Sequence, residues 1–137
     1  MALLLANAAV ACALTGLIWT IQVVHYPLFA HVGEGEWRAY EREHQRRITF
    51  VVAPLMLVNV ALAVAVVIAG DGAAALRWAN LALAAGVFAA TALVYSPLHG
   101  HLGETHDRTA IDHLVTLNWW RTAAWTAQAG VAIALIA

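Results

Sequence analysis

Apolar stretches alternate with shorter polar segments along this chain: Leu3 to Val24, Ile48 to Gly70, Trp78 to Leu98, and about Leu117 to Ala137 are apolar. Each is long enough to cross roughly 30 Å of hydrocarbon at 1.5 Å per residue, so the pattern predicts four transmembrane helices. The expected fold class is all-α: a four-transmembrane-helix bundle forming a single integral membrane domain over residues 1–137. Residues 35–47 read differently. Trp37, Tyr40 and His44 fall on one side and Glu/Arg pairs such as Glu43 with Arg47 on the other, which predicts an amphipathic helix on the membrane surface, placed to act as a lid.

Composition strengthens the membrane reading. The chain has 137 residues, of which 63% are hydrophobic and 11% charged, with a mean hydropathy of +0.75, values outside the range of water-soluble domains. A formal net charge of −1 gives no basis for nucleic-acid binding; the expected partners are the lipid bilayer and a lipophilic small molecule. The first span has no basic flank and is longer than a signal-peptide core, so it is expected to remain in the mature protein. Cys12 is the single cysteine and excludes an internal disulfide. Arg38, Arg42, Arg46 and Arg47 occupy the first connection and Arg108 the third. Only Arg77 lies on the other side, near the tight turn Gly70-Asp71-Gly72. The basic-loop count therefore predicts an inner-membrane protein with its histidine-rich loops cytoplasmic and both termini outside.

The chain also repeats itself. Pro27 to Glu34 reads PLFAHVGE and Pro97 to Glu104 reads PLHGHLGE, an offset of 70 residues, with Pro, Leu, His, Gly and Glu identical. Two duplicated helical hairpins related by a parallel pseudo-twofold axis would produce this pattern. His31 then matches His101, and His44 falls within one residue of matching His113. Whether Pro27 and Pro97 end their helices or kink them is open at this level.

All seven histidines fall in two windows, His25 to His44 and His99 to His113, on the same predicted side of the membrane. Each span brings one imidazole to that boundary: His25, His44, His99 and His113. Imidazoles converging from different helices are what a transition-metal site requires. Glu41 three residues before His44 adds a Glu-x-x-His pair on one helix face. Polar residues inside the spans form stripes: Thr15, Gln22 and His25; Thr91, Tyr95 and His99; Asn118, Arg121, Trp125 and Gln128; span two offers Asn59. Arg121 lies about one turn inside the hydrocarbon, where a guanidinium costs about 3 kcal/mol on insertion scales. It requires either an anionic ligand, or snorkelling, or a loop carboxylate such as Asp112 or Glu104. Trp119 and Trp120 suit an interfacial belt, and Trp125 lies deeper. Small residues at intervals of four, such as Ala8, Cys12 and Gly16 or Ala61, Ala65 and Ala69, predict close helix packing.

His25-Tyr26-Pro27-Leu28-Phe29, Tyr40-Glu41 with His44 and Arg47, Pro97-Leu98-His99 and Asn118-Trp119-Trp120-Arg121-Thr122 together resemble small four-span bacterial membrane proteins of largely unassigned function. The Asn, Arg and Thr of the last motif are similar, more distantly, to the anthrone-oxygenase-like membrane family. That resemblance implies oxidation of a lipophilic aromatic substrate by molecular oxygen.

The leading expectation is a membrane-embedded, metal-dependent oxidoreductase. Its ligands would be His25, His44, His99 and His113, with His31 and His101 in second rank; iron or copper is favoured and zinc also fits. Arg121, Asn118 and Tyr95 would orient a phenol or quinone, with Gln22, Trp125 and Trp120 as substrate contacts. The alternatives are a bis-histidine haem electron carrier, or a metal or proton transport module that would have to form a homo-oligomer.

Overall fold

A computed structural model describes all 137 residues, Met1–Ala137, and the chain is helical throughout, without strands. Helix α1 (Ala2–Thr20) runs through a π-helical turn (Ile21–His25) into a 3-10 segment (Tyr26–His31), and α2 covers Glu34–Ala69. Helix α3 (Ala74–Ala90) passes through a second π-helical turn (Thr91–Tyr95) into α4 (Ser96–Leu102), and α5 covers Arg108–Ala134. The rods Ala2–His31, Glu34–Ala69 and Ala74–Leu102 are each long and apolar enough to cross a membrane. Helix α5, with 27 residues, is also long enough at about 40 Å, but Asn118, Arg121, Thr122 and Gln128 lower its hydropathy. All four are buried inside the bundle, so the polarity faces neighbouring helices and not the surroundings.

Neither proline ends its helix. Proline lacks the N–H that would bond one turn back, and its ring displaces the carbonyl there. The π turn just upstream of Pro27 and of Pro97 absorbs that mismatch by accommodating an extra residue. An inserted residue rotates everything beyond it by about 100°, so Tyr26 and His99 meet the bundle on faces that uninterrupted periodicity would misplace.

Residues 35–47 do not form a separate surface helix. They are the N-terminal part of α2, because no glycine or proline between Arg38 and Ile48 gives the backbone a reason to break. Trp37, Glu41 and His44 consequently form one buried stripe at helical spacings of four and three. The turn after α2 does use glycine: Gly70 (φ 78°) caps the helix and Gly72 (φ 80°) follows, both in a left-handed region that side chains disfavour. Asp107 starts α5 by accepting a hydrogen bond from the Ala110 amide at 3.1 Å.

The interior has two zones. Toward the histidine end, Leu14, Ile18, Phe29, Trp37, Leu102 and Trp125 belong to the main apolar core. Toward the other end, Ala8 and Ala11 of α1 meet Ala129 and Ala132 of α5, small residues that bring the two backbones close. Cys12, expected on that ridge, is exposed instead. Four amides from four rods link up there: Asn59 and Gln128 exchange two 3.0 Å bonds, Gln128 donates to Asn80 at 3.3 Å, and Asn80 donates to Asn7 at 3.2 Å. Large apolar side chains such as Phe50, Ile68 and Leu93 point outward while these amides point inward. That inside-out distribution marks a membrane protein, because amides exposed to hydrocarbon would lack partners.

Candidate metal centre

Four ionisable side chains converge at the end of the bundle opposite the Gly70 turn. Glu41 and His44 come from α2, His99 from α4, and His25 from the first π turn. Ligand atoms of Glu41, His44 and His99 all lie within 4.8 Å of one another. His25 Nε2 sits 2.8 Å from His44 Nδ1, their ring centroids 4.6 Å apart. The ring centroids of His44 and His99 are 5.4 Å apart. Cis ligands around a metal with bonds of about 2.1 Å stand about 3 Å apart and trans ligands about 4.2 Å, so these atoms could converge on an ion if His99 gave up one of its two ring hydrogen bonds.

The neighbours hold these groups in place. The Glu41 carboxylate is fully buried (0% exposed), and its Oε1 accepts from His99 Nδ1 at 2.6 Å. With that nitrogen protonated, His99 Nε2 accepts from the Tyr26 hydroxyl at 2.9 Å. Gln45 Nε2 donates to the His99 carbonyl at 2.7 Å and also lies 3.4 Å from Glu41 Oε1. Gly103 gives Gln45 its room: a Cβ there would stand 3.0 Å from Gln45 Nε2. Trp37 ties α2 to the end of α4 by donating to the Leu102 carbonyl at 2.6 Å, and Phe29 packs edge-on against the His25 and His44 rings. Within this group Glu41 Oε2 is buried without a hydrogen-bond partner, a position at which a carboxylate oxygen could ligate a cation.

The predicted ligands divide evenly. His25, His44 and His99 come together; His31, His101 and His113 do not and are exposed. His101 stands two residues beyond His99 in α4, about 200° of rotation, and His31 two beyond the buried Phe29 in the 3-10 segment, about 240°, so each faces away. His113 fails by one residue. The position matching His44 at the repeat offset is Leu114, fully buried, and one residue is about 100° of turn. Glu41 and Tyr26 were visible as motif members but not as site residues; Glu-x-x-His spacing was the available signal for the first.

A cleft of about 310 Å³ opens beside the cluster between α2 and α3. His44, His99, Tyr26, Tyr95 and Arg121 form its polar end, and Ile48, Val52, Met56, Leu57 and Phe88 its apolar wall. Tyr95 donates to the Leu117 carbonyl at 2.9 Å, which fixes its ring beside Arg121. The Arg121 guanidinium lies 4.5 Å from the Tyr95 ring centroid and 5.2 Å from that of Trp125. It neither snorkels, being 6% exposed, nor pairs with Asp112 or Glu104; Glu104 is held by Arg42 at 3.2 Å. Asn118 and Gln22 are structural to first order: Asn118 donates to Gln22 at 2.7 Å, Gln22 to the Val115 carbonyl at 3.1 Å, and neither lines the cleft. Trp120, expected as a substrate contact, is 76% exposed and faces outward, because it adjoins Arg121 in sequence and so lies on another face of α5. Comparison of the chain with protein families, curated proteins and solved structures finds no match.

Proposed function

We propose that this chain is a four-span membrane oxidoreductase whose metal is held by Glu41, His44 and His99, with His25 alongside, and whose substrate is a lipophilic aromatic molecule entering the cleft from the bilayer. The observation that carries this is one carboxylate and two imidazoles, contributed by two different helices and gathered within 4.8 Å, at the polar end of an apolar cleft. Two histidines and one carboxylate with open positions is the donor set of non-haem iron(II) oxygenases, so iron is the favoured ion. Iron(II) bound there would supply one-electron and dioxygen chemistry.

The protein groups would do the rest. Ile48, Val52, Met56 and Phe88 take the apolar body of the substrate out of lipid without a desolvation penalty. Arg121, steadied between Tyr95 and Trp125, orients its oxygen-bearing end. In the metal-free protein Tyr26, His99 and Glu41 form a hydrogen-bonded chain from the cleft to a buried carboxylate, and a metal held by His99 would take the place of one of these two ring hydrogen bonds while the other orients the imidazole. The reaction implied by the distant family resemblance balances without an external reductant: an activated aryl methylene and dioxygen give the ketone and water, one oxygen atom entering each product.

The same reading extends to topology. The π turns at Ile21–His25 and Thr91–Tyr95, each followed by a proline, recur at the 70-residue offset of the sequence repeat and support duplication of a helical hairpin. Helix α5 is the fourth span, its polar stripe covered by the other three, and the arginine-rich side with the metal centre is cytoplasmic at the inner membrane. A bis-histidine haem is disfavoured, since His25 and His44 nitrogens 2.8 Å apart leave no room for an iron with two bonds of about 2 Å between them. The test is turnover in nanodiscs: iron-loaded protein should consume dioxygen in the presence of lipophilic phenols with an aryl methylene and place one ¹⁸O atom from ¹⁸O₂ in the product. Iron-loaded protein that consumes no oxygen with any such compound contradicts the proposal.

A further inference from the structure

We infer that Arg121 is the anion-binding end of the cleft, so the ligand it selects is an amphiphile carrying one ionised oxygen, carboxylate or phenolate, ahead of a neutral apolar or quinone-like molecule. The inference deepens the substrate assignment above and rests on the cleft being a binding site, but not on the metal.

Arg121 is 94% removed from solvent, since only 6% of its surface is exposed, and it has no acidic partner: none of the ion pairs in the structure includes it. Its Nε is buried with no hydrogen-bond partner. Its polar neighbours are the Tyr26 and Tyr95 hydroxyls, neither of which brings a full negative charge, and its other contacts are the ring faces of Tyr95 and Trp125. A guanidinium so placed presents a planar fork of donors that meets no carboxylate and only the neutral Tyr26 hydroxyl, with Nε unpartnered. The cost of that arrangement in a membrane interior is recovered when an anion arrives in the cleft, where Arg121 forms part of the lining. Charge therefore enters at one end of the cleft while the wall beyond it, Ile48 to Leu57 on α2 and Phe88 on α3, accepts only apolar groups. An amphiphile with a single charged head satisfies both ends. A neutral ligand of the same shape fills the wall and leaves the guanidinium unanswered.

The measurement uses full-length protein in nanodiscs of uncharged lipid, treated with chelator, and two probes of nearly equal shape, 2-anthracenecarboxylate and 2-anthracenemethanol. Energy transfer from Trp125 and its neighbours to the anthracene reports binding. The carboxylate is expected to bind at least tenfold more tightly than the alcohol, Arg121→Gln to remove that preference, and Arg121→Lys to retain part of it. Val52→Trp, which fills the apolar wall and leaves Arg121 in place, should weaken both probes alike and guards against misfolding of the arginine variants. A 2-hydroxyanthracene titration across its phenol ionisation separates the two anion classes: tighter binding of the ionised form admits phenolates, and no change confines the site to carboxylates. Equal affinity of the carboxylate and the alcohol, or a preference that survives in Arg121→Gln, overturns the inference. Because the protein is metal-free throughout, absence of an iron centre would leave this result standing, and an iron-loaded protein indifferent to charge would contradict this inference alone.

Discussion

The contact between Glu41 and His99 lends itself to a double-mutant cycle. Glu41 is fully buried, one oxygen is 2.6 Å from His99 Nδ1, and the other has no partner. Replacing His99 by leucine keeps most of the volume and strands the carboxylate with only the long Gln45 contact. Stranding a buried charge costs about 3 kcal/mol. Glu41→Gln keeps the shape and an acceptor for His99, exchanging a charge-assisted bond for a neutral one, at about 1 kcal/mol. In the double variant no charge is stranded, and only a buried amide lacks a partner, so the loss should be about 2 kcal/mol and not the sum of the singles. Coupling of about 2 kcal/mol in favour of the pair is therefore expected. Reversible unfolding of chelator-treated protein in mixed detergent micelles measures it, with metal excluded so that binding does not add to stability. Losses that add to within about 0.5 kcal/mol would show that the two groups do not interact, and the hydrogen-bonded chain through them would fall with that result.

Three other perturbations probe separate parts of the molecule. Gln128→Leu removes three interhelical bonds, worth about 0.6 kcal/mol each in membrane helices, and should cost about 2 kcal/mol in the same unfolding assay; an unchanged protein would show the amide cluster to be idle. Arg121→Met should raise the stability of ligand-free protein by about 2 kcal/mol, since a buried unpaired charge is replaced by an apolar group, and a lower stability would reveal a partner for the guanidinium. Hydrogen bonds from Arg46 and Arg47 hold the Glu43 carboxyl down to about 2 on the exposed side of α2. A folded-state value below the unfolded one means a contribution present above the ordinary carboxylate range and lost as pH falls toward 2. Glu43→Gln should accordingly lower stability at neutral pH and flatten the acid limb, so that variant and parent converge as pH falls toward 2; an acid limb unchanged by the substitution would contradict that assignment.

Much of the helical architecture was legible because hydrocarbon imposes a simple rule of length and apolarity. Ala2–His31, Glu34–Ala69 and Ala74–Leu102 contain the first three stretches that hydropathy marks, apart from the capping Gly70. What failed was phase. His113 was aligned with His44 by a repeat that is off by one residue, and His31 and His101 by one that is exact but points both copies outward. Two π turns shift the rotational register, and nothing in Ile21–His25 or Thr91–Tyr95 announces one except the proline that follows. Asn7 and Asn80 were missed for another reason: each is a lone polar residue near a span end, where an amide reads as interfacial, and only tertiary contact joins them to Gln128. Arg121 was the clearest signal, because its cost in hydrocarbon required a compensation that the protein supplies only through two ring faces and a neutral hydroxyl, without a carboxylate.

The proposal of a metal centre meets its most direct test in elemental analysis of protein purified after growth with iron and measured again after His44→Ala and His99→Ala are combined. The account predicts about one iron per chain in the parent and none in the double variant, while His31→Ala and His113→Ala leave the content unchanged, since the exposed imidazoles take no part. A parent protein without stoichiometric metal, or one whose metal survives loss of His44 and His99, would contradict it.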